Sequence, residues 1–593
     1  MPNSNSFTVA DYLLVRMQQQ GLAKVFQVPG DYVTGFMTAL DNFDGIDAVG
    51  TVNELEAGYA ADGYARYRGL GAVSVQYGVG TFSVLNAIAG SYVERNPVVV
   101  ISASPSASDR EIIAKTGALF HHSTGNLDAD RTVFEAVTVC SEVLASATDA
   151  PAQIDRALTL ALQHKRPIYL EAWSNVWAEP CAEPVGLLDT ALRDTSETDL
   201  AEFVNPAFSR LSSAHQPLVI LGIEVARYGL EDDVIALLIA SGIPYTTTSL
   251  AKTVLDENAT DVGFIGTYAG AASLQETADY VAQCDAILCL GAIFTDDYLD
   301  LLNNQYDDMI AVADSGTRIG NTPMKPVSLQ SAIAGLLAQF ENSPQFPIDP
   351  GSLPATDSYR EEQPPADAVS YESFFNIWNQ FVNTAPEHTP DSRAPKHGIT
   401  TLLGESSSLY MAIRMNGMPQ GSFVSDAAWG SLGHETACAI GVDMAGLTDV
   451  DGTSKRSVVI AGDGGFMMMS QALSTIKRNR LNSVVFVMSN GVYAIEQSFV
   501  NICAFSPSAD FAPFDELPKW NYQQLAATWD IEYRAVEFNA DLSHSLNAIQ
   551  ANPDKPYLIE IKLDRKDLAP AVRELADSIN QHPFSDCYCD IAK

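Results

Sequence analysis

Positive charge is scarce in this chain. Of 593 residues only 34 are Lys or Arg, against 73 Asp or Glu, which leaves a formal charge of −39 at neutral pH. A surface that acidic repels phosphate backbones and anionic headgroups, so nucleic acid and membrane surfaces are excluded as expected partners. Cysteine is sparse as well. The eight residues Cys140, Cys181, Cys284, Cys289, Cys438, Cys503, Cys587 and Cys589 are scattered, with neither the CxxC spacing of a zinc site nor a dense disulfide framework. A reducing cytoplasm fits them best, and the one close pair, Cys587-Tyr-Cys589, reads as incidental. No apolar run approaches the ~18–20 residues of a membrane span. MPNSNSFTVADYLL at the start lacks the basic patch and apolar stretch of a secretory signal.

What is present is ordinary globular composition, 47% hydrophobic and 9% aromatic, far from the signature of disorder. The length corresponds to about three to five domains. From residue 7 to 185, strand-length apolar runs (KVFQVPG, GIDAVGTVNE, GAVSVQYG, NPVVVISASP, RPIYLEAW) alternate with helical segments, the rhythm of a parallel sheet with helices on both faces. A second α/β block covers 196–345, with QPLVILGIEV, GIPYTTTSL, CDAILCLGAIF and DMIAVAD as strands. Residues 346–370 are rich in Pro, Ser and Asp and read as a linker. A third block covers 371–575, with RSVVIAGDG, NSVVFVMSN and KPYLIEIKL as its clearest strands, and 576–593 read as a terminal tail. The expected fold class is therefore α/β, with three doubly wound domains built on parallel sheets.

The densest chemical signal lies in SVVIAGDGGFMMMSQALSTIKRNRLNSVVFVMSN, a strand, Gly462-Asp463-Gly464-Gly465, a helix, and a second strand ending at Asn490. If the two strands are adjacent and parallel, Asp463 and Asn490 emerge together at one sheet edge as hard oxygen ligands. Magnesium is commonly held by one or two such side chains plus substrate phosphates. Gly464 and Gly465 let a diphosphate approach the backbone. Alternatively, Gly-Asp-Gly is only a turn with Asp463 capping a helix.

Gly462-Asp463-Gly464, followed 27 residues after the Asp by Asn490, resembles the thiamin diphosphate motif, and the chain as a whole resembles the pyruvate decarboxylase and indolepyruvate decarboxylase group of that superfamily. The resemblance spans FQVPGDY (26–32), NELEAGYAADGYAR (53–66), GVGTFSVLNAIAGSYVERNPVV (78–99), LFHHSTGN (119–126), RPIYLE (166–171), WGSLG (429–433), GDG (462–464) and VYAIE (492–496). It departs from the family at Ser489, where Asn is common, at Val492, where Gly is common, and at Ser406-Ser407-Ser408, where Thr-Gly-Thr is common.

The resemblance implies pyrimidine-binding, middle and diphosphate-binding domains and the cofactors thiamin diphosphate and Mg2+, with metal ligands Asp463, Asn490 and the Val492 carbonyl. It implies that Glu54 meets a ring nitrogen of the aminopyrimidine and sets its tautomer, although Thr51-Val-Asn-Glu54 also fits a capping box. Leu432 wedges the bent cofactor, the Gly430 carbonyl accepts from the pyrimidine amine, and Ser406, Ser408, Tyr410 and Ile495 line the cofactor or substrate cleft. Asp31, His121, His122 and Glu496 handle protons at the reacting carbon, although on residue type alone the histidines could be inert surface groups, Asp31 a turn residue and Glu496 a first-turn acid. The implied reaction is decarboxylation of a 2-oxo acid to an aldehyde in a cytoplasmic homodimer or homotetramer with sites between subunits.

Three rivals remain open at this point. A carboligase of the same superfamily is disfavoured by the adjacent His pair. A dinucleotide enzyme would use Gly78-Val-Gly80-Thr-Phe-Ser83, which lacks the third Gly of GxGxxG. A silent paralogue kept for binding would use the unusual segment 499–520.

Overall fold

The computed structural model describes residues 6–191, 195–343, 346, 353–354, 359, 361–383, 398–446, 456–579, 584–585 and 587. Among them the strands form three sheets. The first contains β1 (Lys24–Gln27), β2 (Asp47–Gly50), β3 (Gly71–Ser74), β4 (Val98–Ser104), β5 (Cys140–Leu144) and β6 (Ile168–Trp173), in the order β2-β1-β3-β4-β6-β5 and all parallel. The sequence reading misses β5. It lies at the sheet edge with only Leu144 fully buried, so it lacks the continuous apolar run of a central strand such as β4.

This sheet belongs to a compact unit made of Met1–Leu192, Ala437–Leu447 and Gln471–Leu481. Two short pieces of the third sequence block are thus part of the first unit. The helix Glu54–Arg68 explains why. Its buried Glu56 accepts a hydrogen bond from the Thr475 hydroxyl, and its Gly63 leaves no room for a Cβ, which would stand 2.3 Å from the Cys438 carbonyl oxygen.

The second unit, Arg193–Thr436, Thr448–Ser470 and Asn482–Lys593, holds the other two sheets. One contains β7 (Pro217–Leu221), β8 (Tyr245–Thr248), β9 (Phe264–Tyr268), β10 (Ala286–Leu290), β11 (Met309–Ala313), β12 (Gly316–Ile319) and β13 (Thr322–Pro323), ordered β13-β12-β11-β10-β7-β8-β9. The expectation of a wholly parallel sheet is corrected at one edge, where β12 and β13 run antiparallel. Only two residues separate β11 from β12 and β12 from β13, a connection long enough for a hairpin and too short for a parallel crossover. The other sheet is all parallel: β14 (Ile399–Leu403), β15 (Phe423–Ser425), β16 (Arg456–Gly462), β17 (Val484–Ser489), β18 (Glu532–Val536) and β19 (Tyr557–Lys562), ordered β15-β14-β16-β17-β19-β18. On one of its faces Phe374 and Trp378 of the helix Tyr371–Asn383 meet Phe486 of β17, with ring centroids 5.5 and 5.8 Å apart. That packing anchors the helix whose first residue, Tyr371, reaches the candidate site.

Much of the expected 346–370 linker and of the 576–593 tail, Cys589 included, lies outside the described residues. Cys587 is described, and it corrects the reading of the cysteines: it forms a disulfide with Cys503, 84 residues away, with Cα atoms 5.2 Å apart. A pair so distant in sequence leaves no spacing signature. No described helix is long and apolar enough to cross a membrane.

Candidate active site

The register of β16 on β17 pairs Gly462 with Met488. Asp463 and Asn490 therefore leave the carboxyl edge of two neighbouring parallel strands. Asp463 is buried and accepts from two backbone amides, Gly464 to Oδ1 at 3.0 Å and Gly491 to Oδ2 at 2.7 Å. Burial nevertheless pushes its carboxyl up to about 6. Asn490 is also buried, and its Oδ1 accepts from the Val492 amide at 3.2 Å. The alternative in which Asp463 merely precedes and caps a helix does not hold: it is the first residue of Asp463–Met469, and Gly462 holds the cap position.

One cleft collects most of the residues expected at a cofactor site. Gly462, Asp463, Gly464, Gly465 and Asn490 line it with Val492, Ile495, Glu496, Ser406 and Leu432. A Cβ on Gly464 would stand 2.2 Å from the Tyr493 ring, and one on Gly465 would stand 3.1 Å from Glu435 Oε1. The donor set fits a divalent cation carrying a diphosphate: Asp463 and Asn490 offer hard oxygens in one glycine-lined cleft. Gly430 lines a larger neighbouring cavity together with Tyr410. Ser408 does not face the cleft; it is buried, and Ser407 lines the wall instead. Ser406 caps the helix Ser407–Ile413 by accepting from the Leu409 amide at 3.3 Å.

The first unit carries the other expected residues. Glu54 is the first residue of its helix, but the capping-box alternative is excluded: the cap is Asn53, whose Oδ1 accepts from the Glu56 amide at 2.9 Å, while the Thr51 amide is taken by the Gln27 carbonyl at 3.1 Å. Glu54 is left half-buried with an oxygen 3.5 Å from where a Cβ on Gly80 would stand. Asp31 accepts from Gln76 Nε2 at 2.6 Å. Its neighbour Tyr32 stacks edge-on against Tyr77 at 4.9 Å, and both rings meet His122, at 6.4 and 6.0 Å. The Tyr77 hydroxyl donates to the His121 carbonyl. Asp31, His121 and His122 are thus brought to one exposed edge by an aromatic cluster. The dinucleotide rival fails here: the Gly78 amide and the Thr81 hydroxyl both donate to Asp130 Oδ2, at 2.7 and 2.5 Å, so an acid occupies the place a pyrophosphate needs.

Comparison with known proteins decides the family. Models of the thiamine pyrophosphate enzyme match its N-terminal TPP binding domain at residues 7–132, its central domain at 204–340 and its C-terminal TPP binding domain at 404–561. The alpha-keto-acid decarboxylase of Mycobacterium ulcerans is 30% identical over 587 residues, covering 97% of this chain and 96% of that protein. Those of Mycobacterium tuberculosis and Mycobacterium bovis are 29% identical over 586 residues and 97% of each chain. The chain belongs to the thiamine pyrophosphate enzyme family. An X-ray structure from Mycobacterium smegmatis, 18% identical, shares the fold with a TM-score of 0.73 over 94% of this chain and 99% of that one.

Within this thiamine pyrophosphate enzyme the segment 499–520 has a structural place. It folds back on the loop that carries Asn490: the Tyr493 amide donates to the Asp515 carbonyl at 2.9 Å, and Leu517 donates to Gly491 at 3.1 Å. Phe505 and Phe511 pack with Val492 and Ala494. The Cys503–Cys587 disulfide ties the same segment to the tail. The sequence reading also misses Glu405, Tyr371 and Tyr493 in the cleft wall. Only Glu405 leaves a signal, as an acid directly before the Ser406–Ser408 run.

Proposed function

We propose that this enzyme decarboxylates a 2-oxo acid without oxidation, releasing CO2 and an aldehyde, with thiamin diphosphate and Mg2+ as cofactors. The observation that carries the reading is the convergence of Asp463 and Asn490 in a glycine-lined cleft that also contains Glu496, in a chain whose full-length relatives are named alpha-keto-acid decarboxylases. Asp463, Asn490 and the Val492 carbonyl would hold the metal, and Gly464 and Gly465 leave room for the diphosphate. When bound, thiamin diphosphate supplies the carbon nucleophile and the electron sink for loss of CO2. The protein's own part is placement and proton handling. Leu432 and Ile495 would hold the cofactor as apolar contacts, and Glu54 would be the carboxyl that meets its pyrimidine ring. Glu496, Asp31, His121 and His122 would supply and accept protons when the aldehyde forms, a task open to carboxyl and imidazole side chains. The residues divide between the two units, and by resemblance a homodimer or homotetramer with sites between subunits joins them.

The reading is tested by incubating the protein with thiamin diphosphate, Mg2+ and a panel of 2-oxo acids, following gas evolution and identifying the carbonyl product. Equal yields of CO2 and aldehyde are expected. An acyloin as the main product would make the enzyme a carboligase, and no CO2 from any 2-oxo acid would overturn the proposal.

A further inference from the structure

Glu405 faces two spaces. One is the cofactor cleft; the other is a cavity of about 730 Å³, within the size range of small-molecule pockets. Gly430, expected at the cofactor's pyrimidine, lines this second space as well. The cavity has a mixed lining: Asp296, Asp297 and Asp300, from the segment after β10, and Glu405 line it together with the apolar Trp429, Leu575 and Ile579. Trp429 and Ile579 are 40% and 64% exposed. Among the described residues no Lys, Arg or His lines the cavity.

Burial and the neighbouring Asp296 push the Asp297 carboxyl up to about 6. Burial and the charge on Asp297 push Glu405 up to about 7. The Tyr410 hydroxyl donates to Asp297 Oδ1 at 3.4 Å. A second carboxylate brought into this space would meet like charge, whereas a cationic group on an apolar stem would meet both the acids and the hydrocarbon favourably.

We propose that this cavity receives the side chain of the 2-oxo acid, and that Asp296, Asp297 and Glu405 select a side chain ending in a guanidinium or ammonium group. The inference rests on the decarboxylase reading for the word substrate, but the selection is a property of the cavity and is measurable without turnover. The stem lies along Trp429, Leu575 and Ile579, and the charged head reaches the aspartates. Asp297 is the specificity-determining residue, being the most enclosed of the three aspartates.

Calorimetry on the protein loaded with thiamin diphosphate and Mg2+ compares 5-guanidinopentanoate with its apolar isostere 7-methyloctanoate, neither of which carries a reactive oxo group. The guanidinium compound should bind about tenfold or more tightly at low ionic strength, with the advantage shrinking as salt is added. Asp297→Asn should remove most of that advantage and leave the isostere within about twofold. If Asp297→Asn fails to fold, Asp300→Asn, at an exposed position, should reduce the advantage by about threefold. Equal binding of the two compounds, or a ratio untouched by the substitution that folds, overturns the proposal. A kinetic arm compares kcat/KM for 5-guanidino-2-oxopentanoate and 4-methyl-2-oxopentanoate. A guanidinium preference in binding with no CO2 from any 2-oxo acid supports the selection and removes the decarboxylase reading. CO2 from the neutral acid without any guanidinium preference does the reverse.

Discussion

Asp463 accepts a 2.7 Å hydrogen bond from the amide of Gly491. One carboxylate therefore stands where a metal is expected and at the same time pins the loop that presents Asn490 and Val492. Gly491 has φ +72°, so the turn there depends on a residue without a side chain. Asp463→Ala removes a ligand and the pin together. The Kd for thiamin diphosphate in the presence of Mg2+ should rise by about 100-fold or more in calorimetry. Unchanged affinity would remove Asp463 from the metal site.

Glu54 is free of the capping role that its sequence context allowed, since the Thr51 amide is bonded to Gln27. Glu54→Gln keeps size and loses the acid. Turnover should fall by about two orders of magnitude or more, while cofactor affinity stays measurable in the same calorimetric titration. Wild-type turnover in this variant would falsify the assigned role.

Gly78 has φ +65°, and a Cβ on it would stand 2.0 Å from the His122 carbonyl oxygen. Gly78→Ala adds roughly 1–2 kcal/mol of backbone strain and pushes the His121-His122 loop outward. The expected outcome is a lower melting temperature with a turnover loss larger than the stability loss explains. If the histidines take part only in product release, single-turnover CO2 formation should survive better than steady-state turnover. Parallel losses in both assays would count against that division of labour.

Glu435 is buried beside Gly465, and burial pushes its carboxyl up to about 7. The sign follows from proton binding. Between the ordinary carboxyl range near pH 4.5 and about 7 the native state holds a proton that the unfolded chain has released, so this group's contribution to stability falls as pH rises through that window. Glu435→Gln should be more stable than the native protein at pH 8, by a few kcal/mol on the order implied by the shift, and not at pH 4.5. Urea unfolding at the two pH values reads the difference; identical differences at both would show that Glu435 does not titrate there.

The Cys503–Cys587 disulfide closes a loop of 84 residues. Chain-entropy arguments give such a closure about 4–5 kcal/mol of stabilisation. Cys503→Ser should lower the melting temperature, and reduction should lower that of the native protein by the same amount and leave the variant unchanged. Non-reducing peptide mapping that found both residues as free thiols would contradict the bond.

Much of this was legible before any coordinates. The buried strands β4, β16 and β17 announce themselves because a parallel strand covered on both faces must be apolar along its whole length. Edge strand β5, only partly buried at most positions, and the short hairpin strands β12 and β13 carry no such pattern. In the same way Gly462-Asp463-Gly464 and Asn490 are legible because a βαβ unit places the ends of its strands at one edge by connection geometry alone.

Other features depend on residues remote in sequence. Residues 437–447 and 471–481 join the first unit through contacts such as Glu56 with Thr475, 419 residues apart. The 499–520 segment braces the Asn490 loop, and Cys503 finds Cys587, through folding that no local spacing encodes. The acidic cavity is of the same kind, assembled from Asp297, Glu405, Trp429 and Ile579. Local chemistry is written in neighbouring residues, because helices, strands and turns answer to short-range sterics and hydrogen bonding. Which side chains share a wall is settled by packing, which matches surfaces and charges without regard to their distance along the chain.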